Sequence, residues 1–293
     1  GICKVNNDGS TGWFITTPSS YSNGFALGSD YAVYVTGGGT ARLAQPVPGI
    51  LLAPRLLLDG PFVSGTGLMN DALRTAGLIP LADPYPALGY VHAGAPSPSI
   101  SAGALAITGN NAIVDHVLLE LRASSDNTVV MASRTALVQR DGDVVDMDGT
   151  SPVTFAAPAA SYFVAVGHRN HLTCMTASPV PLSGTSTTVD FTTSTTLTYG
   201  TDARKAIGNV RVLWAGDVTF NDQVKYTGAG NDRDPILLRI GGNVPTNTVN
   251  GYYTEDVNLD GVVKYTGADN DRDPVLVTIG GSVPTAVRNA QVP

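Results

Sequence analysis

Oxygen-bearing side chains recur at alternate positions near the C-terminal end of this 293-residue chain. Asp256, Asn258 and Asp260 stand at positions 1, 3 and 5 of a short loop, with Gly261 sixth and the apolar Val263 eighth. Alternate residues of a tight turn aim their oxygens at one point, and glycine accepts the φ > 0 bend. The carbonyl of Val262 at position 7 adds a backbone oxygen, which completes the spacing of an EF-hand-type loop for a hard divalent cation. Position 12 is Gly267, which has no carboxylate, so the closing ligand must come later in the chain. Asp271 and Asp273, in Asn270-Asp271-Arg272-Asp273-Pro274, are the best-placed candidates. Asp269 is a weaker one, because its counterpart in an earlier copy of the segment is Gly230.

That earlier copy is a tandem duplication. Residues 217–246 align with 256–285 at an offset of 39, with 20 of 30 positions identical. In the first copy the ligand positions are Asp217, Thr219 and Asn221, with Gln223 at the carbonyl position. Asp232 and Asp234 correspond to Asp271 and Asp273. Thr and Asn replace stronger oxygen donors and Asp222 replaces the glycine, so the first loop is expected to hold a hard cation more weakly. The competing use of such aspartates is an Asx turn on a solvated surface.

These loops need elements to hold them. Asp273 before Pro274 reads as an N-cap followed by the first helical residue, and Gly280-Gly281 as the helix end, so a short helix is expected over 274–279. Elsewhere the sequence argues for strands. Only Glu120 and Glu255 are glutamates and only four lysines occur, while aspartate gathers in loops with Gly and Asn. This imbalance, with 33 Gly, 19 Pro and 14% charged residues, fits a β-rich and calcium-dependent protein. Residues 1–49 read as a β-rich segment with strands over 12–17, 24–27, 31–36 and 41–44, too few for a core of their own. Residues 50–208 read as an antiparallel β-sandwich, with strands over 55–59, 113–122, 128–140 and 161–169 and a short helix over 69–76. Residues 209–293 are the tandem repeat.

The duplicated loop followed by a helix resembles dockerin modules. Several further segments resemble a family of secreted Bacteroidota proteins described as hemagglutinin-like or dockerin-like: Leu56-Leu-Leu-Asp-Gly-Pro-Phe, Leu78-Ile-Pro-Leu-Ala-Asp-Pro-Tyr, Val117-Leu-Leu-Glu-Leu-Arg, Arg140-Asp-Gly-Asp-Val-Val-Asp and His168-Arg-Asn-His-Leu. The resemblance covers roughly residues 50–293. It implies export, a β-sandwich and calcium binding near the C-terminus, without a defined biochemical activity. Dockerins bind cohesins, but the missing position-12 carboxylate and the long repeat set this chain apart from that partner.

Other polar groups carry weaker signals. Read as one continuous strand, residues 161–171 put His168 and His171 on opposite faces, which makes them a hydrogen-bonded network and not a metal pair. Asp141, Asp143, Asp146 and Asp148 suit paired turns better than a further calcium site. Trp13, Trp214, Tyr85 and Tyr90 are candidate sugar platforms. Cys3 and Cys174 allow one disulfide. The chain starts at Gly1 with no leader, so any signal peptide is expected to have been removed. The net charge of −7 without a basic block argues against nucleic acid, and no apolar run is long enough to span a membrane.

No His-Glu-x-x-His, nucleophile elbow or phosphate-binding glycine loop occurs, so no enzyme is expected. The expectation is a secreted, extracellular or cell-surface structural or adhesive protein that binds calcium and self-associates into a filament or array through its N-terminal strands. The alternative is a glycan- or cohesin-type binding module.

Overall fold

The computed structural model describes residues 49–293 in full and, within residues 1–48, the backbone of five strands. It is mainly β, with 35% strand and 11% helix. Contacts divide the chain into two units, Gly1–Val47 and Pro48–Pro293. In the first, Ile2–Val5 pairs with Thr11–Ile15, and Gly24–Leu27, Val33–Thr36 and Thr40–Leu43 form a three-stranded antiparallel meander. The side chains of Cys3 and Trp13 lie outside the described residues, so the Cys3–Cys174 disulfide and the Trp13 platform do too.

The second unit is built on strand Ile113–Ala123, rich in Val, Ile and Leu, which suit a pleated buried surface. It pairs antiparallel with Asp126–Gln139 on one side and Ala160–His168 on the other. His171–Met175 and Val180–Leu182 extend the Ala160–His168 side, and Val144–Val145 pairs with the end of Asp126–Gln139. A smaller sheet has Ile50–Arg55 in the middle, antiparallel to Val153–Phe155 and parallel to Thr187–Asp190. That parallel pairing departs from the all-antiparallel expectation. It is possible because Thr187–Asp190 returns only after the chain has passed through the larger sheet, and parallel neighbours need such a crossover. Buried side chains of both sheets, from Ile50 and Leu52 to Leu119, Val164 and Phe191, form one hydrophobic cluster.

The expected strand over 55–59 is shifted. The strand is Ile50–Arg55, and Leu56, Leu57 and Leu58 follow it fully or almost fully buried. Their backbone is satisfied by Gly142 and Leu213 instead of a regular ladder. The helix expected over 69–76 is confined to Ala72–Thr75, and Gly77 takes φ +66° after it.

Strand Ile113–Ala123 is buried on both faces. The segment 78–100 covers the outer face: Tyr85 donates its hydroxyl to the His116 carbonyl, and His116 Nε2 bonds Pro80 O. The only regular structure in this long connection is a single 3-10 turn, Tyr85–Leu88; connections of this kind are uncommon in a compact domain and commonly functional.

The duplicated copies share a second hydrophobic cluster that includes Ile236, Val257, Val263, Val275 and Ile279. Their pairing is reciprocal. Gln223–Lys225, from the first loop, pairs with Val287–Asn289, which follows the second helix, and Val262–Lys264, from the second loop, pairs with Thr248–Asn250, which follows the first. Each copy therefore completes the other's sheet. Ile236 and Val275 are fully buried, each contributing about 1.5–3 kcal/mol. No helix among the described residues is long and apolar enough to cross a membrane.

Candidate metal centre

In the second copy Asp256 and Asp271 are completely buried. Asp256 accepts N–H groups from Asp260 at 3.1 Å and Gly261 at 2.9 Å. Asp271 accepts those of Val257 at 2.7 Å, Asn258 at 3.3 Å and Lys264 at 2.8 Å. Asn258 Oδ1 and Asp260 Oδ1 take the N–H groups of Asp260 and Val262, so the loop is wound by its own oxygens. Gly261 has φ +85°, and a Cβ there would lie 2.8 Å from Leu78 Cδ1. The left-handed bend favours glycine, and any side chain there would also have to displace the tip of Leu78.

The first copy repeats the plan. Asp217 accepts N–H groups from Asn221 and Asp222, and Asp232 accepts those of Thr219 and Lys225 together with the Thr219 hydroxyl at 2.9 Å. Asp222 takes the left-handed bend at φ +60° that Gly261 takes in the second loop. Asn221 and Gln223 sit at the loop surface, with Asn221 Oδ1 accepting the Gln223 N–H.

Of the two late carboxylates in each copy, only one turns inward. Asp273 and Asp234 are more than half exposed and pair with Arg272 and Arg233. They also exchange bonds with Asn270 and Asn231, whose Oδ1 atoms accept the N–H groups of Asp273 and Asp234. The helices accordingly run Arg272–Thr278 and Arg233–Arg239, the former starting two residues before the expected 274, with N-caps Asp271 and Asp232 whose side chains make no cap bond; the asparagine one residue earlier bonds the first turn instead. Asp269 and Gly230 share a left-handed conformation, so this position serves the turn.

Burial pushes Asp271 up to about 8, with the charge of Asp256 adding to it. Asp217 is likewise driven to about 8 by burial, reinforced by Asp232 and Asp222, and Asp232 is raised as well. Asp256 rises only to about 6, because the Arg169 guanidinium opposes its burial. Two buried carboxylates per copy, close enough that the charge of one raises the other, create a field that a divalent ion would neutralise. Among the described residues no three His, Cys, Asp or Glu side chains converge into a preformed cage. The donor chemistry is instead two buried carboxylates per copy supplemented by amide and backbone oxygens, and in the second copy by the partly exposed Asp260, which suits a hard oxygen-seeking ion such as calcium and not zinc.

A second network lies beside the loops. His168 and His171 do not diverge: His168 ends one strand, Arg169 and Asn170 form a two-residue turn, and His171 begins the next. Residues facing each other across such a turn share a face, and their Nδ1 atoms are 3.0 Å apart. Reading 161–171 as one strand missed the turn. His168 Nε2–H donates to Asp115 at 3.1 Å, and the His171 Nδ1–H lies between two acceptors, Asn170 Oδ1 at 2.8 Å and His168 Nδ1 at 3.0 Å. His171 Nε2 then accepts the Gly60 N–H. Burial depresses both imidazoles, so both are neutral donors and acceptors. Burial opposes ionisation of Asp115, yet Arg169 and His168 outweigh it and hold the carboxyl well below its usual range. Arg169 also donates to the Tyr253 carbonyl and stacks on Tyr252, whose hydroxyl reaches Asp115 at 2.7 Å.

Asn170 joins both loops to the sheet. Its Nδ2 donates to Thr254 O and Asp256 O, and its carbonyl accepts the N–H groups of Gly216 and Asp217. One turn residue thus touches the first ligand residue of each loop.

The remaining candidates are absorbed by local structure. Asp141, Asp146 and Asp148 accept backbone N–H groups in turns, and Asp143 pairs with Arg55. Tyr85 is fully buried, and Trp214 is covered by Arg288, 3.6 Å from its ring centre. One constellation had no sequence signal. Asp83 Oδ2 lies 2.8 Å from His92 Nε2, and His92 Nδ1 lies 3.0 Å from Ser133 Oγ. Ser133 is only 4% exposed, its Oγ accepts the Ala93 N–H, and the adjoining cleft is about 90 Å³. These contacts pin the covering segment to the edge of strand Asp126–Gln139, and the space beside the hydroxyl is too small for an acyl substrate.

Comparison of the chain with protein-family models, curated protein sequences and solved structures returns no match.

Proposed function

We propose that the duplicated segment binds calcium in both loops and that the chain is a secreted, non-enzymatic structural or adhesive protein. The observation that carries this reading is the inward pair of buried carboxylates in each copy, Asp217 with Asp232 and Asp256 with Asp271. In the second loop the ion would be held by Asp256, Asn258, Asp260, the Val262 carbonyl and Asp271. In the first, Asp217, Asn221, the Gln223 carbonyl and Asp232 would hold it, with less ligand charge. Ion binding then couples to folding, since it relieves the repulsion that burial creates. The resemblance to dockerin-like exported proteins agrees with this reading.

Calorimetric titration of chelator-treated protein tests it: two binding events and a raised melting temperature are expected. No heat and an unchanged melt in excess calcium would refute it. The N-terminal strands are the proposed assembly surface, because sheets of two and three strands leave edges that a neighbour can extend. The alternative, a glycan- or cohesin-type module, is favoured in its glycan form by one observation, a cleft beside the first loop that combines apolar lining with a buried Glu120–Arg122 pair.

A further inference from the structure

A cleft of about 250 Å³ opens on the outer face of the larger sheet, walled by Tyr90, Glu120, Arg122, Thr173, Phe220 and Asp222. We propose that it binds a single neutral sugar ring, either free or at the end of a glycan. The proposal deepens the binding-module alternative, and only its dependence on calcium rests on the ion proposed for the first loop.

Glu120 and Arg122 stand two residues apart on strand Ile113–Ala123 and so share its outer face. Both are less than a tenth exposed, and they form an ion pair at 2.7 Å, with the Tyr90 hydroxyl on the other Glu120 oxygen at 2.6 Å. Burying such a pair contributes little stability, because desolvation offsets the attraction. Its value lies in presenting adjacent donors and acceptors with no net charge. Arg122 uses three of its five N–H groups, two on Glu120 and one on the Asn127 carbonyl, which leaves two for a ligand. Neighbouring hydroxyls, each donor and acceptor, match that array, and an ion does not.

The floor is kept open by Gly167, where a Cβ would lie 2.9 Å from Thr173 Oγ1. Glycine inside a strand costs stability and marks a close approach. The wall carries a further sign. Phe220 and its counterpart Leu259 both adopt the left-handed conformation, at φ +54° and +59°, which is rare for bulky residues. Leu259 is thereby driven into the hydrophobic core, whereas the same bend in the first loop presents Phe220 to the cleft. Phe220 packs on Tyr85, with ring centres 5.8 Å apart, and together with Tyr90 it gives the cleft aromatic surface for the C–H side of a sugar. The volume is below the roughly 300–1,000 Å³ of sites for drug-sized ligands, so one ring fits and a chain does not.

The test is titration of the full calcium-saturated chain with a panel of free pentoses and hexoses, followed by ligand-observed NMR, and in parallel with surface-displayed glycans ending in the same sugars. At least one sugar is expected to bind saturably. Asp222→Asn, which keeps the left-handed bend, should weaken it by about tenfold, and Gly167→Val should abolish it. Binding of the free sugar assigns a soluble ligand, and binding only when displayed assigns a glycan terminus. No saturable binding in protein that still shows its calcium heat overturns the cleft while leaving the calcium reading standing. Binding unchanged in both variants, or a response to sulfate or acetate alone, also overturns it. Sugar binding that survives the chelator upholds the cleft and removes only its coupling to the ion.

Discussion

At the scale of single residues, what distinguishes this chain is where its aspartates point. Asp271 and Asp273 are two positions apart in the same turn, yet one is buried among N–H donors and the other pairs with Arg272 in solvent. Substitution therefore separates them. Asp271→Asn should weaken calcium at the second site by at least about tenfold, while Asp273→Asn should leave the isotherm unchanged and stability within about 0.5 kcal/mol. Titration calorimetry of the two variants checks this. The raised carboxyls also fix a pH dependence. In metal-free protein Asp217 and Asp271 hold their protons up to about 8 when folded, against an ordinary value near 3.8. The folded state then binds more protons than the unfolded state between those limits, so stability is present at low pH and is lost as pH rises toward 8. Melts in chelator should fall across that window, and calcium should flatten the curve. A melting temperature in chelator that rises from pH 5 to 8 would contradict the assignment.

At the scale of elements, the duplication is one interlocked structure. Gln223–Lys225 has its ladder partner in Val287–Asn289, across the second helix. A chain ending at residue 246 should accordingly lose amide-exchange protection at Val224, although the whole of the first copy's sequence is still present. Protection retained at that amide would show that the first copy folds by itself. In both helices the residue before the N-cap does the bonding: Asn270 and Asn231 accept the N–H groups of Asp273 and Asp234 in the first turn, leaving the N-cap carboxylates of Asp271 and Asp232 to turn inward. Capping and coordination are thereby divided between neighbouring residues.

At the scale of the whole unit from Pro48 to Pro293, Asn170 is the joint. Asn170→Ala removes the donor to two carbonyls, Thr254 O and Asp256 O, and should cost about 2–4 kcal/mol. Because those carbonyls belong to the segment entering the second loop, scanning calorimetry should resolve two transitions where the native protein shows one. A single, unshifted transition would argue that the two hydrophobic clusters hold each other without the joint. For the complete chain, light scattering with and without residues 1–45 tests assembly: larger species are expected only with the segment, and a monomer in both samples ends the filament reading.

The residue types along the chain already determined the β-rich class, the duplication and a short helix near 274–279, because these depend on local spacing and turn chemistry. The alternation of Ser161 to Val166 likewise showed a strand. Which late aspartate faces inward was decided by bonds from Asn270 and Asn231 to the outer aspartates that only the folded turn reveals. The meeting of His168 with His171 depended on a two-residue turn that period-two alternation cannot register. The contacts of Asp115 with Tyr252, 137 residues away, and of His92 with Asp83 and Ser133 carry no spacing at all. Contacts between distant residues arise from how faces pack, and packing energies are set by the tertiary arrangement and not by neighbours in sequence.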